Sequence, residues 1–129
     1  MERQNVSSGS PYESLIGFSR AVRVGDRVVV AGTAPVWPDG SCPADAGTQA
    51  ARCLEIIVRA LETAGARVGD VVRTRTYLTD AADADEIGRA HGSVFAEVMP
   101  ASTMVVVHAL LDPRWKVEIE AEAIIGAAP

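Results

Sequence analysis

Alternation of apolar and polar side chains marks the predicted strands of this chain. Arg20 to Val24 alternates with period two, Gly25-Asp26 has turn chemistry, and Arg27 to Ala31 follows as a second run, which predicts a β-hairpin. Further apolar or alternating runs predict strands at Val71 to Leu78, Thr103 to Leu111 and Lys116 to Ile125.

Two stretches repeat their apolar residues every three or four positions, which is typical of amphipathic helices. The first begins at Thr48, which can cap a helix, and ends before Gly65. The second begins at Asp80 or Asp83. Because residues 32–47 contain three prolines and an Asp-Gly pair, they predict a long loop before the first helix.

The resulting element order is ββαβαββ. Both strand-helix-strand connections are long enough for right-handed crossovers, so we expect an α+β fold with a mixed sheet and two helices on one face. A small sheet with one uncovered face commonly buries that face between copies of the chain, which predicts a homo-oligomer. Residues 1–10 are polar and rich in Ser and Gly, and we expect them to form a flexible arm, which could become ordered against the body or a neighbour, ahead of a single domain at 11–129.

The composition and the net charge exclude several protein classes and kinds of binding partner. The 129 residues are 48% hydrophobic and 22% charged, which excludes disordered and collagen-like classes. Seventeen acidic and twelve basic side chains give a net charge of -5, so no nucleic-acid partner is expected. No apolar run approaches the roughly 20 residues that cross a bilayer, so we expect no membrane association. The N-terminus lacks the order of a secretory signal, which predicts a cytoplasmic protein.

Four motifs occur in order along the chain: Gly-Phe-Ser-Arg-Ala-Val-Arg-Val-Gly-Asp (17–26), Val-Ala-Gly-Thr-Ala-Pro-Val (30–36), Pro-Ala-Ser-Thr (100–103) and Val-Glu-Ile-Glu-Ala (117–121). With the elements between them, the chain resembles the reactive-intermediate deaminase family, also called Rid or YjgF, over nearly its whole length after residue 10. The resemblance implies a chorismate-mutase-like subunit and a homotrimer with three clefts between neighbouring subunits. It also implies that no metal and no organic cofactor is used.

Archetypal members of this family hydrolyse a small 2-imino or enamine acid to ammonia and a 2-oxo acid. Their key arginine corresponds here to Ser102, which offers one neutral hydroxyl in place of a two-pronged cation. Their tyrosine corresponds to Phe18, and a helix asparagine corresponds to Gly88. The glutamate of the last strand is matched to Glu120. The resemblance therefore indicates a divergent subfamily rather than the archetypal 2-iminopropionate deaminase.

Glu120 is the candidate catalytic residue. It could orient or deprotonate an attacking water, and the alternative is a solvated strand glutamate beside Glu118 and Glu122. Ser102 and Thr103 are candidate substrate-binding residues that could donate hydrogen bonds to a ligand; ordinary turn capping is their alternative.

Four further residues are candidates for substrate binding. His91 lies on an apolar helix stripe, where a packed histidine is the alternative to a titrating one. Phe18 and Trp115 could wall a pocket or close the core or an interface. Arg20 could supply the missing anion-binding charge, or it could be a surface charge.

Two function classes remain open at this point. The first is an enzyme that acts on an imine, enamine or related electrophilic metabolite by water addition or proton transfer. The second is a non-catalytic metabolite-binding trimer. Ribonuclease activity has also been attached to the family, but the acidic balance and the absence of a paired-His or His/Lys constellation count against it here.

Overall fold

The computed structural model describes residues 1–129 and contains one six-stranded sheet. Its strands lie in the spatial order β1-β2-β3-β6-β4-β5. Strands β4 and β5 are parallel, and all other neighbours are antiparallel, which confirms the predicted mixed sheet. The strands are β1 (Arg3–Val6), β2 (Ala21–Val24), β3 (Arg27–Thr33), β4 (Val71–Leu78), β5 (Ala101–Val106) and β6 (Val117–Ile124).

Three helices accompany the sheet: α1 (Pro11–Ile16), α2 (Ala46–Thr63) and α3 (Ala84–Phe95). Helix α2 begins slightly earlier than predicted, because Asp45 is its cap and accepts a hydrogen bond from the Thr48 backbone N–H. Asp80 caps a preceding 3₁₀ turn, and α3 begins after Asp83. None of the helices has the length and apolar character that a membrane span requires.

The two longer helices cover one face of the sheet, and the core lies between them. Period-two alternation sends Val117, Ile119, Ala121 and Ala123 of β6 into this core, where each is at most 2% exposed. Helix α2 packs Leu54, Ile57 and Leu61 against them, and α3 adds Ile87 and Phe95. The intervening side chains lie on the opposite face, here called the open face: Arg73, Arg75, Tyr77, Glu118, Glu120 and Glu122.

The N-terminal arm at residues 1–10 is ordered against the body of the domain, because it contains strand β1. This strand pairs along its length with β2, from Arg3 opposite Val24 to Val6 opposite Ala21. The turn after β1 is held by the Glu13 carboxylate of α1. That carboxylate accepts hydrogen bonds from the Ser7 hydroxyl at 2.7 Å and from the Ser8 N–H and hydroxyl at 3.0 and 2.5 Å. Backbone pairing and this carboxylate order a segment that has almost no apolar signal.

Strand β5 is also shorter than predicted and ends at Val106 rather than Leu111. Its partner β4 ends at Leu78, and the last backbone bond between them runs from Val107 N–H to the Leu78 carbonyl. Beyond this point the apolar run has no strand to pair with, and Leu111 is 95% exposed. All six residues of β5, which forms one edge of the sheet, are exposed.

Candidate functional site

The three glutamates of β6 lie in a row on the open face, and two of them are paired. Arg27 lies 3.3 Å from Glu122, and Arg75 lies 3.6 Å from Glu120 and 3.9 Å from Glu122. The Tyr77 hydroxyl donates a 2.5 Å hydrogen bond to Glu120, and this bond raises the pKa of Tyr77. The predicted catalytic residue, Glu120, is therefore held in a network of its own.

Glu118 differs from its two neighbours because it has neither a hydrogen-bond partner nor an ion-pair partner. Its half-buried carboxyl lies against the backbone of Gly32 on β3, so close that a Cβ at that glycine would be 3.3 Å from Cδ of Glu118. Burial raises the pKa of Glu118, and the positive charge of Arg20 opposes this shift. A carboxyl with a raised pKa and free oxygens is suited to take up and release a proton.

Arg20 approaches the same glycine from the other side of β3. Its Nη1 donates hydrogen bonds to the Gly32 carbonyl at 3.0 Å and to Thr33 Oγ1 at 3.2 Å. Its guanidinium carbon lies 5.6 Å from the centre of the Phe18 ring. Burial lowers the pKa of Arg20, while Glu13 and Glu118 oppose that shift. Arg20 is therefore partly buried rather than a surface charge. We call Phe18, Arg20, Gly32 and Glu118 the Glu118 cluster.

A second group of polar side chains lies on the other face of the sheet. Thr74 Oγ1 donates a 2.9 Å hydrogen bond to Ser102 Oγ and lies 2.8 Å from His91 Nε2. Burial lowers the pKa of His91, whose ring packs 4.7 Å from that of Phe95. Because the Thr74 hydroxyl donates its one hydrogen to Ser102, it accepts a hydrogen bond from His91 Nε2. Ser102 accepts from Thr74, so its own hydroxyl hydrogen remains available for donation. We call His91, Thr74 and Ser102 the Ser102 relay.

The structure does not bring all predicted site residues together within one chain. Phe18 and Arg20 lie in the Glu118 cluster, whereas Ser102 lies on β5, three strands away from β3, or about 14 Å at ordinary strand spacing. Thr103 is exposed and lies opposite Arg75 in the parallel pairing of β5 with β4. Trp115 is half-buried in the turn that precedes β6, where its backbone N–H donates a hydrogen bond to the Asp112 carbonyl.

Space for a ligand lies beside the Glu118 cluster. An open groove of about 850 Å³ runs along β1, β2, β3 and α1, with Asn5, Glu13, Phe18, Val22 and Val29 among its lining residues. Phe18 belongs to both the groove and the cluster. The structure places no three His, Cys, Asp or Glu side chains together in a group that could hold a metal ion.

The family model described as Endoribonuclease L-PSP matches residues 10–125 of the chain. The chain belongs to this family. This confirms the Rid-family membership that the motifs predict. A 2-iminobutanoate/2-iminopropanoate deaminase of Escherichia coli is 33% identical over 111 residues, which are 83% of this chain and 86% of that protein. An uncharacterized protein of Streptomyces coelicolor is 40% identical over 125 residues, which are 96% and 93% of the two chains.

Solved structures of Rid-family proteins have the same fold. Rv2704 of Mycobacterium tuberculosis, described as a member of the YjgF/YER057c/UK114 family, matches with a TM-score of 0.89 and 45% identity, over 96% of this chain and 100% of that one. TdcF of E. coli, solved with bound serine, matches with a TM-score of 0.79 and 30% identity, over 93% and 92%.

Proposed function

We propose that this Rid-family protein is a deaminase or hydrolase that acts without a cofactor on a small imine, enamine or related electrophilic metabolite. The observation that carries the proposal is the unpaired, half-buried carboxyl of Glu118, which belongs with Arg20 to a cluster that shares Phe18 with an open groove. Family membership supports it, since relatives carry the name 2-iminobutanoate/2-iminopropanoate deaminase. The net charge of -5 disfavours RNA as the substrate.

In the proposed reaction Glu118 acts on water. Its carboxylate accepts a proton as the water oxygen attacks the carbon of the C=N group, and the proton is then delivered to the nitrogen. The carbon–nitrogen bond of the resulting carbinolamine then breaks as its hydroxyl proton is passed through Glu118 to the nitrogen, so ammonia leaves and a carbonyl compound remains. One water is consumed and one ammonia is released, so the reaction needs no oxidant or reductant.

Glu118 carries the proton transfer in this proposal, and Glu120 has a supporting role. A catalytic carboxylate must exchange its proton with substrate and water, whereas Glu120 accepts a hydrogen bond from Tyr77 and lies beside Arg75. Glu120 therefore holds Tyr77 and Arg75 in place on the open face and does not transfer the proton.

The site is completed between subunits of a homotrimer, with Ser102 and Thr103 supplied by a neighbouring chain. Two observations support this assembly. All of β5 is an exposed sheet edge with Met104, Val105 and Val106 accessible, and such edges are commonly covered by a partner. In addition, Ser102 lies two strands away from Glu118 and on the opposite face of the sheet, so within one chain the two side chains do not face a common small ligand.

The test is ammonia release from a panel of 2-imino acids, each generated in situ from its amino acid by an oxidase. We expect Glu118→Gln to lower the rate by about 10²- to 10⁴-fold, the usual contribution of a general base. The matched control Glu120→Gln should lower it by less than about tenfold because proton transfer is intact. A wild-type rate equal to the uncatalysed one would contradict the proposal. Retained ligand binding in that case would support a metabolite-binding trimer.

A further inference from the structure

Two buried threonines of β4 lie on the helix-covered face of the sheet, and their hydroxyls have different surroundings. Thr76 Oγ1 has no hydrogen-bond partner. Thr74 Oγ1 has two, since it lies 2.8 Å from His91 Nε2 and 2.9 Å from Ser102 Oγ. Thr74 therefore connects a histidine of α3 to an exposed serine on the edge strand β5.

The Ser102 relay has a direction, because each hydroxyl carries only one hydrogen. With the ring hydrogen of His91 on Nε2, that N–H donates to Thr74, Thr74 donates to Ser102, and the Ser102 hydrogen stays free. With the ring hydrogen on Nδ1, every bond reverses and Ser102 uses its hydrogen inside the relay. The position of one hydrogen on His91 thus decides whether Ser102 offers a ligand a donor or only an acceptor.

The surroundings of His91 favour the hydrogen on Nε2. Burial lowers the pKa of His91, so near pH 7 the ring is neutral and carries a single N–H. Nε2 has Thr74 at 2.8 Å, but Nδ1 has no hydrogen-bond partner in the chain. A hydrogen on Nδ1 would be a half-buried donor without an acceptor, which is the rarer kind of unpaired polar group in folded proteins. The relay therefore runs from His91 to Ser102.

Nothing in the chain competes for the free hydrogen of Ser102. The only hydrogen bond of its side chain is the one from Thr74. Gly88 lies one turn before His91 on α3 and Gly92 follows it directly, and a Cβ at either glycine would meet no atom within 4 Å. Helix α3 therefore leaves open space beside His91, and Ser102 is exposed. The relay ends in a donor that a ligand can reach.

We infer that His91 is a positioning residue: through Thr74 it holds the Ser102 hydroxyl as a hydrogen-bond donor for the ligand. The inference rests on the proposed function, in which Ser102 belongs to the site. No member of the relay is charged near pH 7, so the donor suits an uncharged acceptor such as an imine nitrogen or a carbonyl oxygen. The proposed reaction contains both, in the C=N group of the substrate and the C=O group of the product. A donor that already has its direction needs no reorientation when such a group arrives.

The direct test is the position of the hydrogen on the His91 ring, read from ¹⁵N NMR of the ring nitrogens in the assembled protein at about pH 8, where the ring is neutral. His91→Gln identifies the signals, since His108 is the only other histidine. No ligand is required. We expect the hydrogen on Nε2, and a hydrogen on Nδ1 would overturn the inference.

The same signals show whether the relay is connected. Ser102→Ala removes the acceptor of the Thr74 hydroxyl, which then turns toward His91 Nε2, so we expect the form with hydrogen on Nδ1 to increase. Ser93→Ala is the control, because the Ser93 hydroxyl lies on the same helix but donates to the Arg89 carbonyl. It should leave the ring signals of His91 in place. Equal signals in Ser102→Ala and the wild type would overturn the inference.

A second measurement compares the two buried threonines in turnover. Thr74→Val breaks the relay, and we expect it to lower kcat/KM for ammonia release from a 2-imino acid by about 2- to 10-fold, the contribution of one neutral hydrogen bond. In a Ser102→Ala background the same substitution should have no effect, because the donor is already absent. Thr76→Val is the matched control, since it removes an unpartnered hydroxyl from the same buried face of β4, and it should leave kcat/KM unchanged.

Wild-type kcat/KM in Thr74→Val would overturn the inference, as would an equal loss in Thr76→Val or an undiminished loss in the Ser102→Ala background. If Thr74→Val does not fold, as judged by circular dichroism, the ring hydrogen of His91 in the wild type decides alone.

The two proposals can fail separately. A hydrogen on Nε2 that moves in Ser102→Ala, in a protein that releases no ammonia from any 2-imino acid, would contradict the proposed function and leave the role of His91 standing. Ammonia release by a protein with the hydrogen on Nδ1 of His91 would do the reverse.

Discussion

Glu118 and Glu120 should respond to the same substitution with opposite changes in stability. The pKa of Glu118 is raised above its ordinary value of 4.5 in the folded state, mainly by burial. Folding therefore favours its protonated form, and this stabilisation is fully present below pH 4.5 and is lost as the pH rises through the folded-state pKa. Glu118→Gln removes the unpaired charge, and we expect it to raise the free energy of unfolding at pH 7.

Glu120→Gln should lower that free energy. The variant loses an ion pair with Arg75 at 3.6 Å, whose side chains are 39% and 29% exposed, and such exposed pairs contribute about 0 to 1 kcal/mol. The hydrogen bond from Tyr77 also changes from a charge-assisted to a neutral one, which costs about 0.5 to 1 kcal/mol. The sum is about 1 kcal/mol, or about 3–5 °C in Tm for a domain of this size.

The assay is urea unfolding followed by circular dichroism between pH 4 and pH 8. Protein concentration must be constant, because subunit association contributes to the apparent stability. We expect the gain in Glu118→Gln to grow with pH and to disappear below pH 4.5, where the wild-type side chain becomes protonated in both states. A loss of stability in Glu118→Gln at pH 7, or equal losses in the two variants, would refute this reasoning.

Three further predictions concern the site and its assembly. Gly32→Ala places a Cβ 3.3 Å from Glu118 Cδ, so we expect a folded protein whose turnover of 2-imino acids is lower by at least about tenfold; wild-type turnover would contradict the close approach. Thr74→Val removes the acceptor for His91 Nε2, which should lower the pKa of His91 further in an NMR titration of its ring protons; an unchanged pKa would speak against the Ser102 relay. Sedimentation velocity at micromolar concentration should give a trimer, and a stable monomer would exclude a site shared between subunits.

The elements that bury one side in the core are the ones that local sequence reasoning predicts well. Strand β6 alternates between buried aliphatic and outward acidic residues, and its predicted bounds differ from the observed ones by one residue at each end. Strand β1 has no such pattern, since Val6 is its only apolar residue. Its order comes from β2 and from Glu13, and these contacts depend on the folded chain. The end of β5 is set in the same way, by the end of β4.

At the candidate site, too, the local sequence pattern does not predict contacts that form only in the folded chain. Period two places Glu118, Glu120 and Glu122 on one face, but it does not distinguish among them. The difference comes from the neighbouring strands, because Gly32 of β3 has no side chain that could pair with Glu118, while Tyr77 and Arg75 of β4 engage Glu120. Whether Arg20 is a surface charge or a site residue also depends on a carbonyl twelve residues away.

A crystal structure of the assembled protein with bound pyruvate would test the central claim most directly. The account predicts pyruvate between Glu118 of one subunit and Ser102 of its neighbour, with its C2 carbon reached by the Glu118 carboxyl directly or through one water. Pyruvate bound instead at Glu120 and Arg75, or in a pocket built from a single chain, would contradict it.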